Sequence, residues 1–186
     1  LSLSLGTPKI TINMNNRFLK LSFLLALFVT VSTAWGQEKA SPAATATGKV
    51  GAATITINYS SPAVKGRKIW GDLVPYDKVW RAGANQATIF ETDKAITIDG
   101  KELPAGKYSL FAQPGEKEWQ FIFNSETGQW GTKRSGEANF DPAKNVLTVS
   151  ATPTTSSTTN ERLLYEVGGR GFTLKWENLE VPVRIK

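Results

Sequence analysis

The chain has no cysteine and no histidine among its 186 residues. Without cysteine there is no disulfide framework, no thiolate nucleophile and no Cys-ligated zinc or iron–sulfur site. A lipid tether of the kind attached to a cysteine after a cleavage site is excluded too. Without histidine the chain lacks the side chain that titrates near neutral pH and most often binds transition metals. A hydrolase would have to rest on paired carboxylates. Helical periodicity is equally scarce, with no 3.6-residue apolar stripe longer than two turns. No cofactor and no metal is expected.

Long hydrophobic runs are missing apart from Leu21–Val31, which is shorter than the ~20 residues of a spanning helix. It follows Met14, Arg17 and Lys20 and precedes Ser32-Thr33-Ala34-Trp35-Gly36. This is a positive, apolar, small-residue succession, so residues 14–36 read as a signal peptide cleaved before Gln37. Residues 1–13 read as an upstream, non-native-looking extension. The expected product is exported and soluble, periplasmic or extracellular, with no stable membrane anchor after cleavage and not a lipoprotein. The formal charge of +6, from 22 basic and 16 acidic residues, owes three cations (Lys9, Arg17, Lys20) to the leader. The remainder is close to balanced and argues against a nucleic-acid partner, which calls for a clustered basic face.

Residues 37–51, rich in Ala, Ser, Thr and Pro, read as a flexible linker. From Ala52 onward the pattern has period 2, the signature of half-buried strands. Thr54-Ile55-Thr56-Ile57-Asn58-Tyr59 places Ile55, Ile57 and Tyr59 on one face. Asp99-Gly100 after Lys94–Ile98 predicts a two-residue hairpin. Trp119, Phe121 and Phe123 share a face in Glu118–Asn124. Gly128–Asn145 is a long irregular excursion, and Thr152–Asn160 a polar run before Arg162–Val167. The best helical candidate is Lys68–Val74. Eight or nine short strands with regular turn signals predict one all-β domain over 52–186, an antiparallel sandwich or jelly roll with at most one short helix.

Special residues crowd the segment from Ser60 to Gly131. They include Lys65-Gly66-Arg67, Ile69-Trp70-Gly71, Val74-Pro75-Tyr76, Val79-Trp80-Arg81-Ala82-Gly83-Ala84-Asn85, Leu103-Pro104-Ala105-Gly106-Lys107-Tyr108 and Gln129-Trp130-Gly131. This ordered set closely resembles an uncharacterised family of exported bacterial proteins, domain of unknown function 2911. The resemblance implies export and a single β-rich domain, and it brings no catalytic residues. Some relatives carry the label asparagine synthetase, whose amidotransferase chemistry needs an N-terminal nucleophilic Cys that this sequence does not contain.

Trp80-Arg81-Ala82-Gly83-Ala84-Asn85 is the most informative stretch. Small residues between Arg81 and Asn85 would let guanidinium and amide converge on a carboxylate or hydroxyl, with Trp70 or Trp80 as a stacking face. The alternative is a structural Arg81 tying loops together through carbonyls and a carboxylate such as Asp72 or Glu91. Trp130, between Gly128 and Gly131, is the better exposed indole, whereas Trp119 reads as core. Lys65-Gly66-Arg67-Lys68 fits an anion contact or, more simply, a solvated turn. Three function classes follow. The first is a non-catalytic module binding a glycan or other envelope component through Trp70, Asp72, Trp80, Arg81, Asn85 and Trp130. The second is a carboxylate-dependent hydrolase using Asp72 with Asp77 or Glu91. The third is a structural or partner-binding envelope protein.

Overall fold

The computed structural model describes residues 40–186, and the expected extension and signal peptide lie outside the described residues. Ten strands follow in chain order: β1 (Ala43–Val50), β2 (Ala53–Ser60), β3 (Thr88–Thr92), β4 (Ile96–Ile98), β5 (Lys101–Leu103), β6 (Gly106–Gln113), β7 (Trp119–Asn124), β8 (Asn145–Ala151), β9 (Thr154–Gly168) and β10 (Gly171–Arg184). Six of them form an antiparallel sheet in the order β1-β2-β3-β6-β7-β8. The long β9–β10 hairpin and the short β4–β5 hairpin complete the all-β domain.

The core lies between the inner face of the six-stranded sheet and the β9–β10 hairpin. Alternation on β2 buries Ile55 and Ile57 completely, with Tyr59 packed beside them. Phe90, Leu110, Phe121 and Phe123 line the same face, and Leu163, Tyr165, Phe172, Leu174 and Trp176 meet them from the hairpin. Fully burying side chains of this size contributes ~1.5–3 kcal/mol each before entropy is counted. The opposite face of the sheet is covered locally as well. Ile122 and Phe111 pack there with Ala87, Ala138, Val79 and Phe140, the last two half-buried, under the 125–144 connection. Asp99 and Gly100 take φ of 51° and 74°, the two positive values a type I′ turn requires, and Ile98 pairs with Lys101.

Three expectations need correction. The linker expected over 37–51 becomes strand from Ala43, paired in register with β2 from Ala43↔Ser60 to Val50↔Ala53. Small residues serve its inner face because β9 approaches closely: a Cβ on Gly48 would lie 2.7 Å from the Val167 carbonyl oxygen. The outer face is held by polar cross-strand pairs, Thr45 to Asn58 at 2.8 Å and Lys49 to Thr54 at 2.8 Å. The helix expected at Lys68–Val74 is instead a knot of turns in which the N–H of Val74 donates to Ile69 O (2.9 Å) and that of Gly71 to Val74 O (3.0 Å). The only helical turn among the described residues is a 3-10 turn at Pro142–Lys144, capped by Asp141. Finally, the polar Thr152–Asn160 run belongs largely to β9, where Thr154, Thr155 and Asn160 pair with Glu180, Leu179 and Glu177 across register shifts.

Candidate functional site

The chain between β2 and β3 supplies the site. Trp80 exchanges both backbone hydrogen bonds with Ala112 of β6 (2.7 and 2.8 Å), continuing the position β3 occupies beside β6. Thr88 takes up that pairing against Leu110, so residues 81–87 form an excursion from an otherwise continuous ladder.

The backbone of this excursion is tightly fixed. Ala82 and Asn85 sit at φ of 52° and 60°, values that non-glycine residues adopt at a cost of order ~1–3 kcal/mol when nothing compensates. Compensation comes from buried donors. The Ala82 carbonyl accepts from Tyr165 Oη (2.8 Å) and from Thr88 Oγ1 (2.9 Å). Trp80 Nε1 donates to Gly83 O at 3.1 Å, and the Ala84 N–H to Ser60 O at 3.2 Å. Gly83 is required here, because a Cβ would lie 2.8 Å from Thr88 Oγ1. Asn85 donates through Nδ2 to Ser60 Oγ (3.2 Å) and Ser41 O (3.4 Å), and its carbonyl accepts from the Gly131 N–H at 3.0 Å. Burial and the Tyr59 ring's phenol hold the Tyr165 hydroxyl well above its usual pKa, so it stays a neutral donor.

Against this fixed backbone the Arg81 side chain stands apart. Its Nε is buried without a hydrogen-bond partner, and no carboxylate or carbonyl among the described residues meets the guanidinium. Desolvation lowers its pKa, although a guanidinium stays charged at neutral pH. The stem packs on Gly131, where a Cβ would collide with Arg81 Cδ and lie 2.8 Å from Arg81 Cβ. The carboxylate-bound structural role weighed for Arg81 therefore lacks its carboxylate: Glu91 pairs with Lys107 at 3.2 Å. Neither Asp72 nor Glu91 lines the clefts at Arg81. Among the described residues no cluster of three or more His, Cys, Asp or Glu side chains could hold a metal ion.

Two clefts flank Arg81. A smaller one of about 350 Å³ is lined by Lys65, Arg67, Leu73, Trp80, Arg81 and Trp176 among others. A larger one of about 580 Å³ carries Leu73, Lys78, Trp80, Arg81, Lys133 and Phe140. Behind them lies a cluster of four indoles. Trp80 stacks on Trp176 (centroids 5.9 Å apart, planes at 17°), and Trp70 meets Trp80, Trp119 and Trp176 edge-on at 6.2, 4.9 and 5.7 Å. Trp70 and Trp119 are core and Trp80 is half-buried at the rim.

Of the residues singled out from sequence, Trp80 and Arg81 come together at the clefts. Trp70 lies behind Trp80 in the core. Asn85 engages its amide within the fold. Asp72 is exposed in the turn after Trp70. Trp130 is 56% exposed on the neighbouring loop, its carbonyl accepting from Asn139 Nδ2 at 2.9 Å, and lines neither cleft. Leu73, Lys78, Lys133 and Phe140 also line the larger cleft, and no local motif marks them in the sequence.

The family of proteins of unknown function DUF2911 matches residues 41–185. The chain belongs to this family. As a DUF2911 protein it keeps the Trp80–Asn85 excursion and the Gln129–Gly131 loop well inside the matched region. No curated protein and no solved structure gives a significant match to it.

Proposed function

We propose that this DUF2911 protein is an exported, non-catalytic binding module, periplasmic or extracellular, whose ligand is a carbohydrate or cell-envelope glycan held at Trp80 and Arg81. One observation carries the reading: a half-buried guanidinium whose Nε is buried without a partner among the described residues, set on a backbone fixed from several sides, between two clefts. Such a group is a preorganised donor fork awaiting an acceptor, and preorganisation is how a rigid site limits the cost of binding. The apolar surfaces of Trp80, Leu73 and Phe140 suit the apolar faces of sugar rings. Export rests on the leader pattern of residues 14–36. No helix among the described residues is long and apolar enough to cross a membrane.

Because Trp80 lines both clefts and stacks on Trp176, occupancy should change indole emission. A glycan array followed by fluorescence titration of the hits is expected to give saturable binding with a shift in emission. An array at background, with unchanged emission across neutral and charged glycans, would refute the proposal.

A further inference from the structure

The two clefts are not independent. Leu73, Trp80 and Arg81 line both, so the clefts adjoin across these three residues. Each falls within the ~300–1,000 Å³ of ordinary small-molecule sites, and the two together offer more room than a single sugar ring fills. Their charge is one-sided. The smaller has Lys65, Arg67 and Arg81 and no carboxylate. The larger has Lys78, Arg81 and Lys133 against Glu137, whose carboxylate accepts from Ser135 Oγ at 3.2 Å. Between the cations lie apolar surfaces: Leu73 and Trp80 at the junction, Trp176 on one side, Val79 and Phe140 on the other.

Resting on the glycan-binding reading above, we infer that the ligand is an extended acidic glycan, with one sugar carboxylate seated on Arg81 and further units running into both clefts. A planar guanidinium pairs with a planar carboxylate through two parallel N–H···O bonds. The single half-buried cation matches a single negative charge, which limits the desolvation penalty on both partners. The exposed lysines beyond it meet later carboxylates through solvent, adding attraction that salt screens. A neutral oligosaccharide would offer Arg81 hydroxyl oxygens alone, without the opposite charge and the matched two-oxygen geometry that make the guanidinium–carboxylate pair the stronger interaction.

The test is a titration, followed by indole emission and calorimetry, of oligouronides from one to six units. Carboxyl-reduced counterparts of each length and a sulfated oligosaccharide of matched length serve as the other arms. Affinity for the uronides is expected to rise with length and then level off, with reduction of the carboxyls costing at least about tenfold, or ~1.4 kcal/mol. Arg81→Gln should erase the difference between acidic and reduced oligomers. Arg81→Lys should restore only part of it, because an ammonium lacks the fork. Lys133→Ala, at an exposed position with little bearing on folding, should weaken the longer oligomers and spare the shortest. Equal binding of acidic and reduced oligomers overturns the acidic assignment while leaving glycan binding intact. A single uronic acid binding as tightly as the hexamer overturns the extended mode. A sulfated chain binding as well as the uronide overturns the carboxylate assignment. Failure of every oligomer, acidic or neutral, overturns the binding reading itself.

Discussion

Two arginine-bearing loops on the smaller cleft both fix their backbones and differ in what they do with the arginine side chain. In the turn at Lys65–Arg67, with Lys65 and Gly66 at φ of 48° and 67°, backbone and side chain are both tied down: the Lys65 N–H donates to Glu161 Oε1 at 2.9 Å and that of Arg67 to Val64 O at 3.1 Å, while Arg67 Nε donates to Val64 O at 3.0 Å and its Nη2 to Ala63 O. In the excursion at Trp80–Asn85 the backbone is tied down and the Arg81 side chain is not. The first pattern is how a surface turn steadies itself. The second holds a charged group in place without satisfying it, which stabilises nothing in the free protein and makes sense as preparation for a ligand. Sequence composition does not separate the two, since each is an arginine within two residues of a glycine.

The largest expected effect comes from removing the support beneath Arg81. Thr88→Val combined with Tyr165→Phe strips both donors from the buried Ala82 carbonyl, and each lost bond to a buried acceptor costs ~1–3 kcal/mol. Chemical denaturation should show a loss of about 2–4 kcal/mol for the pair, with ligand affinity falling as Arg81 loses its fixed position. Tyr165→Phe alone carries a pH signature. A tyrosine whose folded pKa lies above its unfolded value of ~10 supports the fold fully below that pH. Its contribution drains away as pH rises through the elevated folded value. The parent protein should therefore lose stability above about pH 10 more steeply than the phenylalanine variant. Parallel alkaline profiles would mean that the Tyr165 hydroxyl is not holding the loop.

A smaller change comes from the loop opposite. In Gly131→Ala the new methyl group collides with the Arg81 stem and sits 2.9 Å from the Asn85 carbonyl oxygen. Overpacking of this kind costs ~1–3 kcal/mol. Because the Arg81 stem is the softer neighbour, the guanidinium should be displaced, so affinity falls further than stability. An affinity unchanged beside a destabilised fold would place the ligand away from Arg81.

Much of the scaffold was legible because its signals are local. Alternation placed Ile55 and Ile57 inside, Asp99-Gly100 specified its turn, and Trp119 read correctly as core while Trp130 read correctly as exposed. What stayed hidden depends on partners remote in sequence. Strand β1 looked like a linker because its inner face is built of Ala44, Ala46 and Gly48, and the need for small residues arises from β9 more than a hundred positions later. The polar first half of β9 is strand because β10 pairs with it, not because its own residues bury anything. At the site the same division holds. Trp80 and Arg81 were found by their unusual neighbours. Yet the identity of Asn85 is explained by its positive φ and its bonds to Ser60 and Ser41, and Trp70 by the indole cluster.

The smallest expected effect separates the two arginines by sign. Replacing Arg67 with Met removes two hydrogen bonds to carbonyls that water can partly re-satisfy, so stability should fall by about 0.5–1.5 kcal/mol. Replacing Arg81 with Met keeps the stem that packs on Gly131 and removes a desolvated charge that no described residue compensates. Exchanging poorly compensated charges for apolar side chains of similar volume is commonly neutral or stabilising. Since Arg81 is only half-buried, solvent screening holds the expected gain to no more than about 1 kcal/mol. Urea midpoints measured for both variants at one pH and salt concentration should thus move in opposite directions, or one should move down while the other stays. If Arg81→Met loses as much as Arg67→Met, the guanidinium is holding the fold together after all, and the contrast between the loops disappears along with the reason to seat a ligand there.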